Sequence, residues 1–270
     1  MLTNLDDLES SPEATTDETG NSILRFKHAN VTAEYTFPQP TRAQRFYLPL
    51  RHVLDFSLAF VLTLIAVPIV LLAALAVRLT SRGPAFYTQI RTGRNGKPFT
   101  IYKLRSMIHN CESLTGPRWT IPGDSRVTPI GWLLRRSHID ELPQLLNVLL
   151  GQMSLIGPRP ERPEFVSELE QAIEGYENRH TVVPGITGLA QVQLAPDSDI
   201  ETVRRKLLYD LHYVRHMSLW LDLRILLATA LHMLGMSFDR LQKLRIVPGP
   251  SVVEESSPVR DEAPRQRQAA

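Results

Sequence analysis

Residues 135–163 read Arg135-Arg136-Ser137-His138-Ile139-Asp140-Glu141-Leu142-Pro143-Gln144-Leu145, then Leu146-Asn147-Val148-Leu149-Leu150-Gly151-Gln152-Met153-Ser154-Leu155-Ile156, then Gly157-Pro158-Arg159-Pro160-Glu161-Arg162-Pro163. Adjacent carboxylates, Asp140 and Glu141, follow paired arginines and precede an apolar run ending at Gly151. That run reads as a helix with Asp140 or Ser137 near its N-cap. Pro143 is tolerable in a first turn that has no intrahelical use for its N–H. A purely structural account is therefore available, in which Asp140 caps the helix and Glu141 complements its dipole. The downstream Gly-Pro-Arg-Pro segment argues for more. Each proline fixes its own φ and restricts the residue before it, so Arg159 is held as a fork of donors suited to an oxyanion. Carboxylates beside arginines and a rigid arginine clamp are the parts that phosphoryl transfer needs. A carboxylate serves as nucleophile or metal ligand, and guanidinium groups neutralise phosphate oxygens.

The 270-residue chain is long enough for one sizeable domain with appendages, and its net charge of +2 hides an asymmetry. Residues 1–24 hold six acids and no Lys or Arg. Between Arg78 and Ile139 there are eleven Lys or Arg against two acids, Glu112 and Asp124. Such a basic block attracts anions: nucleic acid, lipid headgroups or phosphorylated substrates. The single Cys111 excludes an intrachain disulfide and fits a reducing, cytoplasmic domain.

Along the chain, residues 1–24 are polar and acidic, which predicts disorder, and they lack the pattern of a secretory signal. Val31–Phe37 suggests a short strand that Pro38 and Pro40 would end. The longest apolar run, Phe56–Val77, is 22 residues without a charge, long enough to enter or cross a bilayer. Pro68 lies at its middle and predicts a kink. Basic residues flank it on both sides: Arg42, Arg45, Arg51 and His52 before, Arg78 and Arg82 after. Charge on both flanks gives no direction to a single crossing, whereas a kinked hairpin returning to the cytoplasmic face satisfies both. Ala85–Ile90 and Phe99–Leu104 read as strands turned at Asn95-Gly96. Alternation puts Lys103 and Arg105 on one face. Gly116–Pro129 is turn-rich, and Ile130–Arg136 reads as a short helix. Glu164–Gly175 has helical periodicity, and Gln171–His180 reads as solvated. Val203–Leu211 and Ser218–Leu234 read as helices, the second interfacial and amphipathic or else packed in the core. Tyr209, Tyr213 and Trp220 are of the kind enriched at membrane surfaces. From Pro248 the composition reads as a disordered tail.

The segments Ser137–Leu145, Gly151–Glu161, Lys97–Met107 and Val183–Val192 together resemble the bacterial sugar transferases, the monotopic phosphoglycosyl transferases that act on polyprenyl phosphate. The resemblance covers roughly Arg51 to Leu234. Val183 departs from the family's usual Lys, which weakens a basic contact there, and residues 194–200 depart from a Gly-Arg-rich segment, which clouds the identity of the sugar. The implied fold is α/β: a small, mostly helical catalytic domain with a short β-hairpin, on a re-entrant membrane helical hairpin broken at Pro68, with interfacial amphipathic helices. The expected organisation is a disordered acidic N-terminus over 1–24, a short extension over 25–50, the re-entrant helix over 51–80, the catalytic domain over 81–240 and a disordered tail over 248–270.

The activity this resemblance implies is transfer of a sugar 1-phosphate from a nucleotide sugar, most simply a UDP-sugar, to undecaprenyl phosphate, an early membrane step of exopolysaccharide or other glycan assembly. Asp140 would be the nucleophile of a covalent phosphosugar intermediate and Glu141 the ligand of Mg²⁺. Lys103, Arg105, Arg135, Pro158, Arg159 and Pro160 would contact substrate phosphates; His138 is a bystander, and the Asp124–Arg126 segment is structural. Expected partners are the nucleotide sugar, polyprenyl phosphate and membrane lipids, with no nucleic acid and a homodimer left open. The expected location is the bacterial cytoplasmic membrane, with the catalytic domain on its cytoplasmic face. Two rivals stand beside it: a membrane-anchored, non-catalytic basic module that binds nucleic acid or anionic lipid, and a catalytically dead scaffold of the same family.

Overall fold

The computed structural model describes residues 41–113, 116, 118, 119, 121, 123–196 and 199–255, together with the backbone of three N-terminal strands at 13–16, 22–28 and 31–37. Two compact units are present, Met1–Phe46 and Tyr47–Ala270. In the first, β1 (Glu13–Thr16), β2 (Ser22–His28) and β3 (Val31–Phe37) form an antiparallel sheet in chain order, with Phe26 opposite Ala33 and His28 opposite Val31. Val31–Phe37 is thus a strand with the bounds expected from the sequence. The disorder expected over residues 1–24 does not extend through Glu13–Thr16 or the start of β2; the rest of that stretch lies outside the described residues. The correction has a simple source, since composition measures average polarity while a strand needs only a partner to pair with.

A 39-residue helix, α1 (Arg42–Thr80), contains both Pro49 and Pro68. It begins nine residues before the expected position 51 and is helical through Pro68. Small residues line its inward stripe: Ala59 and Ala66 join the main core, and Ala74 with Val77 packs in a cluster with Leu104 and Leu134. Its large side chains face outward, Leu64, Leu71, Leu72 and Leu79 all being more than 60% exposed. Only 17% of its most apolar 18-residue window, of mean hydropathy 2.9, is buried.

The hairpin β4 (Phe86–Thr92) and β5 (Pro98–Leu104) pairs Tyr87 with Lys103 and turns through Arg94–Gly96, where Asn95 takes φ 56°. Asparagine is among the few residues that adopt this left-handed conformation readily, and for that reason Asn-Gly marks the turn. Helix α2 (Pro129–Arg136) starts with Pro at its first turn and Thr128 as a side-chain cap on the Gly131 N–H (3.0 Å). A methyl group at Gly131 would lie 1.9 Å from the Ser106 carbonyl oxygen, so only glycine lets α2 approach the exit of β5. The expected helix from Asp140 to Gly151 is instead a 3₁₀ turn, Ile139–Gln144, followed by the short α3 (Leu145–Leu149).

β6 (Ser154–Ile156) and β7 (Gly185–Thr187) form a parallel pair, and α4 (Pro163–Ala172) and a further 3₁₀ turn (Tyr176–Thr181) lie between them in sequence. Helices α5 (Ile200–His216), α6 (Leu219–Met233), α7 (Phe238–Lys243) and α8 (Pro250–Glu255) complete the unit. The helix start of α8, and Val253 with no exposed surface, place part of the expected tail in the fold; residues 256–270 lie outside the described ones. Two further expectations are corrected. Tyr209 and Tyr213 are core residues, at 3% and 1% exposure, while Trp220 is indeed exposed at 69%. Gln171–His180 is not a solvated helix, because Ile173, Tyr176, Arg179 and His180 are all buried. In α6, Leu221, Asp222, Ile225 and Ala228 face inward, and Leu223, Leu227 and Met233 face out.

A buried polar network fastens α1 to the rest of the unit. Arg51 donates to Ser154 Oγ (2.6 Å) and to the Ile156 carbonyl, and Ser154 donates to Asp55 (2.6 Å). Asp222 accepts from Tyr47 and from Tyr213 (2.8 Å) and faces Arg51 at 3.5 Å. Removing one member would leave a buried charge uncompensated, a loss of about 3–5 kcal/mol. The strand so fastened, β6, runs directly into Gly157-Pro158-Arg159.

Candidate active site

His138 sets the geometry of the acidic pair. It adopts φ 55° as the residue before the 3₁₀ turn, reversing the chain after α2 and bringing Asp140 and Glu141 back toward β5. His138 is exposed, and no side chain caps the turn, so the helix-cap account of Asp140 fails in this structure.

Three segments converge on Glu141. Lys103, from β5, donates to its Oε1 at 2.8 Å. Arg159, from the loop after β6, embraces it with both terminal nitrogens, Nη1 reaching Oε2 at 3.2 Å and Nη2 reaching Oε1. Burial alone would push Glu141 up, but the charges of Arg159 and Lys103, with their hydrogen bonds, hold its carboxyl well below the usual range. Lys103 is lowered, chiefly by burial.

Asp140 sits differently. It is 6% exposed, and its carboxylate accepts no hydrogen bond from the described residues. Burial and then the charge of Glu141 push it above the normal aspartate value, against the opposing charges of Lys103, Arg135 and Arg159. Two neighbouring carboxylates thus have separate characters, one neutralised by partners and one desolvated and unengaged, the separation by which active sites assign roles to like residues.

The clamp is held through its backbone. Four successive carbonyl groups accept from four places: Pro158 from the Gly185 N–H (2.9 Å), Arg159 from Arg179 (2.9 Å), Pro160 from Arg91 (3.2 Å) and Glu161 from the Thr92 N–H (2.8 Å). Prolines offer no N–H to a ladder, so this segment is positioned by what its carbonyls accept. The backbones pack closely here; a methyl group on Gly185 would lie 2.0 Å from the Gly157 nitrogen.

Of the residues expected to contact phosphate, Lys103, Arg159 and Arg135 gather around the pair; Arg135 also donates from Nε to Ser106 Oγ (2.8 Å). Pro158 and Pro160 are buried and shape the loop. Arg105 stands apart. The strand ends at Leu104, so alternation no longer governs Arg105. Its guanidinium donates to the carbonyls of Ser81 (3.1 Å), Arg82, Gly83 (3.3 Å) and Pro84 (2.6 Å), the segment that follows α1.

Part of the basic block is spent within the fold, while Arg82, Arg94, Lys97, Arg118 and Arg136 are exposed. Arg91 pairs with Glu161, Arg126 with Asp124, Lys103 with Glu141, and Arg78 donates to the Gly83 carbonyl.

Two positioning residues escaped the sequence reading. Asn147, fully buried in α3, donates to the Thr100 carbonyl (2.7 Å) and accepts from the Tyr102 N–H (3.2 Å), acting as an extra strand beside β5 next to Lys103. Nothing in an apolar helical run announces it. The other, Arg179, lies in a polar stretch whose composition reads as surface.

Known proteins bear on this arrangement. The family model described as bacterial sugar transferase matches residues 46–236, well over half of the chain. A UDP-glucose:undecaprenyl-phosphate glucose-1-phosphate transferase of Caulobacter vibrioides is 45% identical over 181 residues, 66% of this chain and 67% of its own length. An exopolysaccharide production protein of Rhizobium leguminosarum is 38% identical over 187 residues, 67% of this chain and 94% of its own. A UDP-N-acetylgalactosamine-undecaprenyl-phosphate N-acetylgalactosaminephosphotransferase of Aeromonas hydrophila is 41% identical over 183 residues, 68% of this chain but only 43% of its own length. The matched region contains the acidic pair, the clamp and most of α1, and by it the chain belongs to the bacterial sugar transferase family.

Proposed function

We propose that this protein is a sugar-1-phosphate transferase, moving the phosphosugar of a UDP-sugar onto undecaprenyl phosphate at the cytoplasmic face of the cytoplasmic membrane. The observation that carries the reading is the separation of the acidic pair: a buried, unengaged Asp140 beside a Glu141 locked by Lys103 and Arg159. Relatives named for the same class of transfer support it.

The reaction balances as two displacements at one phosphorus. Asp140 attacks the sugar-bearing phosphorus of the donor; the new O–P bond forms as the bond to the bridging oxygen breaks, and UMP leaves. A phosphate oxygen of undecaprenyl phosphate then attacks the same phosphorus and frees Asp140, giving undecaprenyl-diphosphate-sugar. In its ionised form a carboxylate nucleophile needs no base. Arg159, Arg135 and Lys103 neutralise charge on the diphosphate, which lowers the barrier most when they are fixed in advance.

The donor set fits Mg²⁺. Glu141 uses three of about four lone-pair directions on protein donors and keeps one, and both oxygens of Asp140 are unengaged. Mg²⁺ is usually held by one or two carboxylates plus phosphates and water, a set that Glu141 and a substrate diphosphate would supply. Glu141 would hold the ion, which when bound supplies charge stabilisation at the diphosphate oxygens.

Membrane placement follows from α1. Its outward leucines would each cost about 1.5–3 kcal/mol in water relative to full burial, so lipid is the fitting solvent. α1 is helical through Pro68, yet Arg42 and Arg45 before the apolar run and Arg78 and Arg82 after it favour, in lipid, a bend at Pro68 that returns the chain to the side it entered. The exposed apolar side of α6, with Trp220, suits the lipid interface.

The test uses protein in lipid with donor labelled in the sugar phosphate and no acceptor. Wild type should accumulate label and release one equivalent of nucleotide, Asp140→Asn should carry none, and Glu141→Gln should regain labelling as Mg²⁺ is raised. An Asp140→Asn protein that still carries label would refute the assignment.

A further inference from the structure

We infer that the buried Arg179–Asp210 pair is a positioning device for Arg159, fixing the direction in which the clamp presents its guanidinium; the inference rests on the transferase reading above. Arg179 is 3% exposed and Asp210 2%. The guanidinium spends its donors on three different partners. Nε and Nη2 bind Asp210 of α5 (3.0 and 2.7 Å), Nη1 binds the Tyr176 hydroxyl (2.8 Å), and Nη2 also binds the Arg159 carbonyl (2.9 Å).

Stability is a weak reason for such a pair. A buried ion pair gains about as much from mutual attraction as it loses on leaving water, and apolar substitutes of similar size are often neutral or better. Its reach is the better clue. Pro160 already restricts the backbone of Arg159 to extended values, and within that range the orientation of the Arg159 carbonyl settles where the side chain leaves the chain. Arg179 holds that carbonyl from a post anchored on α5. With the neighbouring carbonyls held by Gly185, Arg91 and Thr92, release of this one bond frees the single peptide that carries the clamp. Arg179 therefore acts through Arg159 and is not itself a catalytic residue.

The experiment replaces the pair together, Arg179→Met with Asp210→Leu, so that no orphan charge remains to unfold the protein; the melting temperature checks this, and Arg179→Lys serves as a second variant. Nucleotide release is measured with Arg159 intact and in an Arg159→Ala background. Misplacement of a clamp by about an ångström can cost up to roughly a hundredfold, so the replacement should lower kcat/KM about ten- to a hundredfold with Arg159 present, and less than twofold without it. An equal loss in both backgrounds means a merely structural pair and overturns the inference. A second readout needs no turnover: the Nε–H resonance of Arg159 in ¹⁵N-arginine-labelled protein, assigned by its loss in Arg159→Ala. It should shift or broaden in both pair variants, and an unmoved resonance overturns the inference. Wild type that releases no nucleotide, with a resonance that still moves, would strike the transferase reading and leave the positioning role standing.

Discussion

Arg159→Lys isolates what a planar fork contributes beyond its charge. In the structure Arg159 engages both oxygens of Glu141, and its side chain is 33% exposed where a substrate would meet it. Lysine keeps the positive charge, so Glu141 and Lys103 remain balanced, but an ammonium cannot hold two carboxylate or phosphate oxygens in one plane. One charge-assisted hydrogen bond is lost, worth about 1.5–3 kcal/mol. The partial exposure of Arg159 lets water replace some of that, which places the loss near the lower end, about 1.5–2 kcal/mol or roughly ten- to thirtyfold in rate. The assay is formation of the labelled Asp140 adduct at saturating donor, with the melting temperature measured alongside. An Arg159→Lys protein within twofold of wild type would refute the clamp and leave Arg159 as a residue merely held between prolines.

Other outcomes follow from the same geometry. Tags at residue 20 and residue 260 should both be cytoplasmic if α1 returns to the side it entered, and protection of only one tag would exclude that arrangement. Arg105→Lys leaves most of its four carbonyl partners without a donor; we expect a stability loss of about 1–2 kcal/mol with an unchanged donor KM. A raised KM with an unchanged melting temperature would restore Arg105 to the substrate site. Burial, and then the charge of Glu177, pushes Glu170 up to about 7 from an unfolded value of 4.5. Its folded pKa is the higher, so its contribution is intact below pH 4.5, falls away between 4.5 and 7, and is a penalty above. His180, 3.8 Å away, is lowered to about 3 by burial and then by Arg179, and brings no compensating charge over that range. Glu170→Gln should therefore raise the melting temperature at about pH 8 and leave it alone at about pH 4; equal shifts at both would disprove the assignment.

The elements that local chemistry dictates were legible beforehand. A long apolar run, Asn95-Gly96 between two alternating segments, and the short helix over Ile130–Arg136 each declare themselves within a few residues. Lys103 and Arg159 could be nominated because their types suit phosphate. What stayed hidden depends on partners distant in sequence. Arg179 is an ordinary surface arginine until Asp210, 31 positions later, meets it. Tyr213 suits a membrane surface until Asp222 takes its hydroxyl, and Asn147 suits nothing until β5 lies beside it. Alternation also failed at Arg105 for a local reason, because a period of two holds only while the strand lasts.

The bonds from Arg105 to residues 81–84 have a mechanical meaning. They close the loop between the last turn of α1 and the strand that bears Lys103, two residues from Arg105 itself. No slack chain separates α1 from the acidic pair, so with α1 in lipid as proposed the helix would work as a depth gauge. Where its apolar surface stops would fix how far above the hydrocarbon the carboxylate of Asp140 stands. An acceptor whose phosphate is tethered to a buried chain could reach only a narrow layer. An enzyme that gauged its own depth in this way would meet that layer without having to search for it.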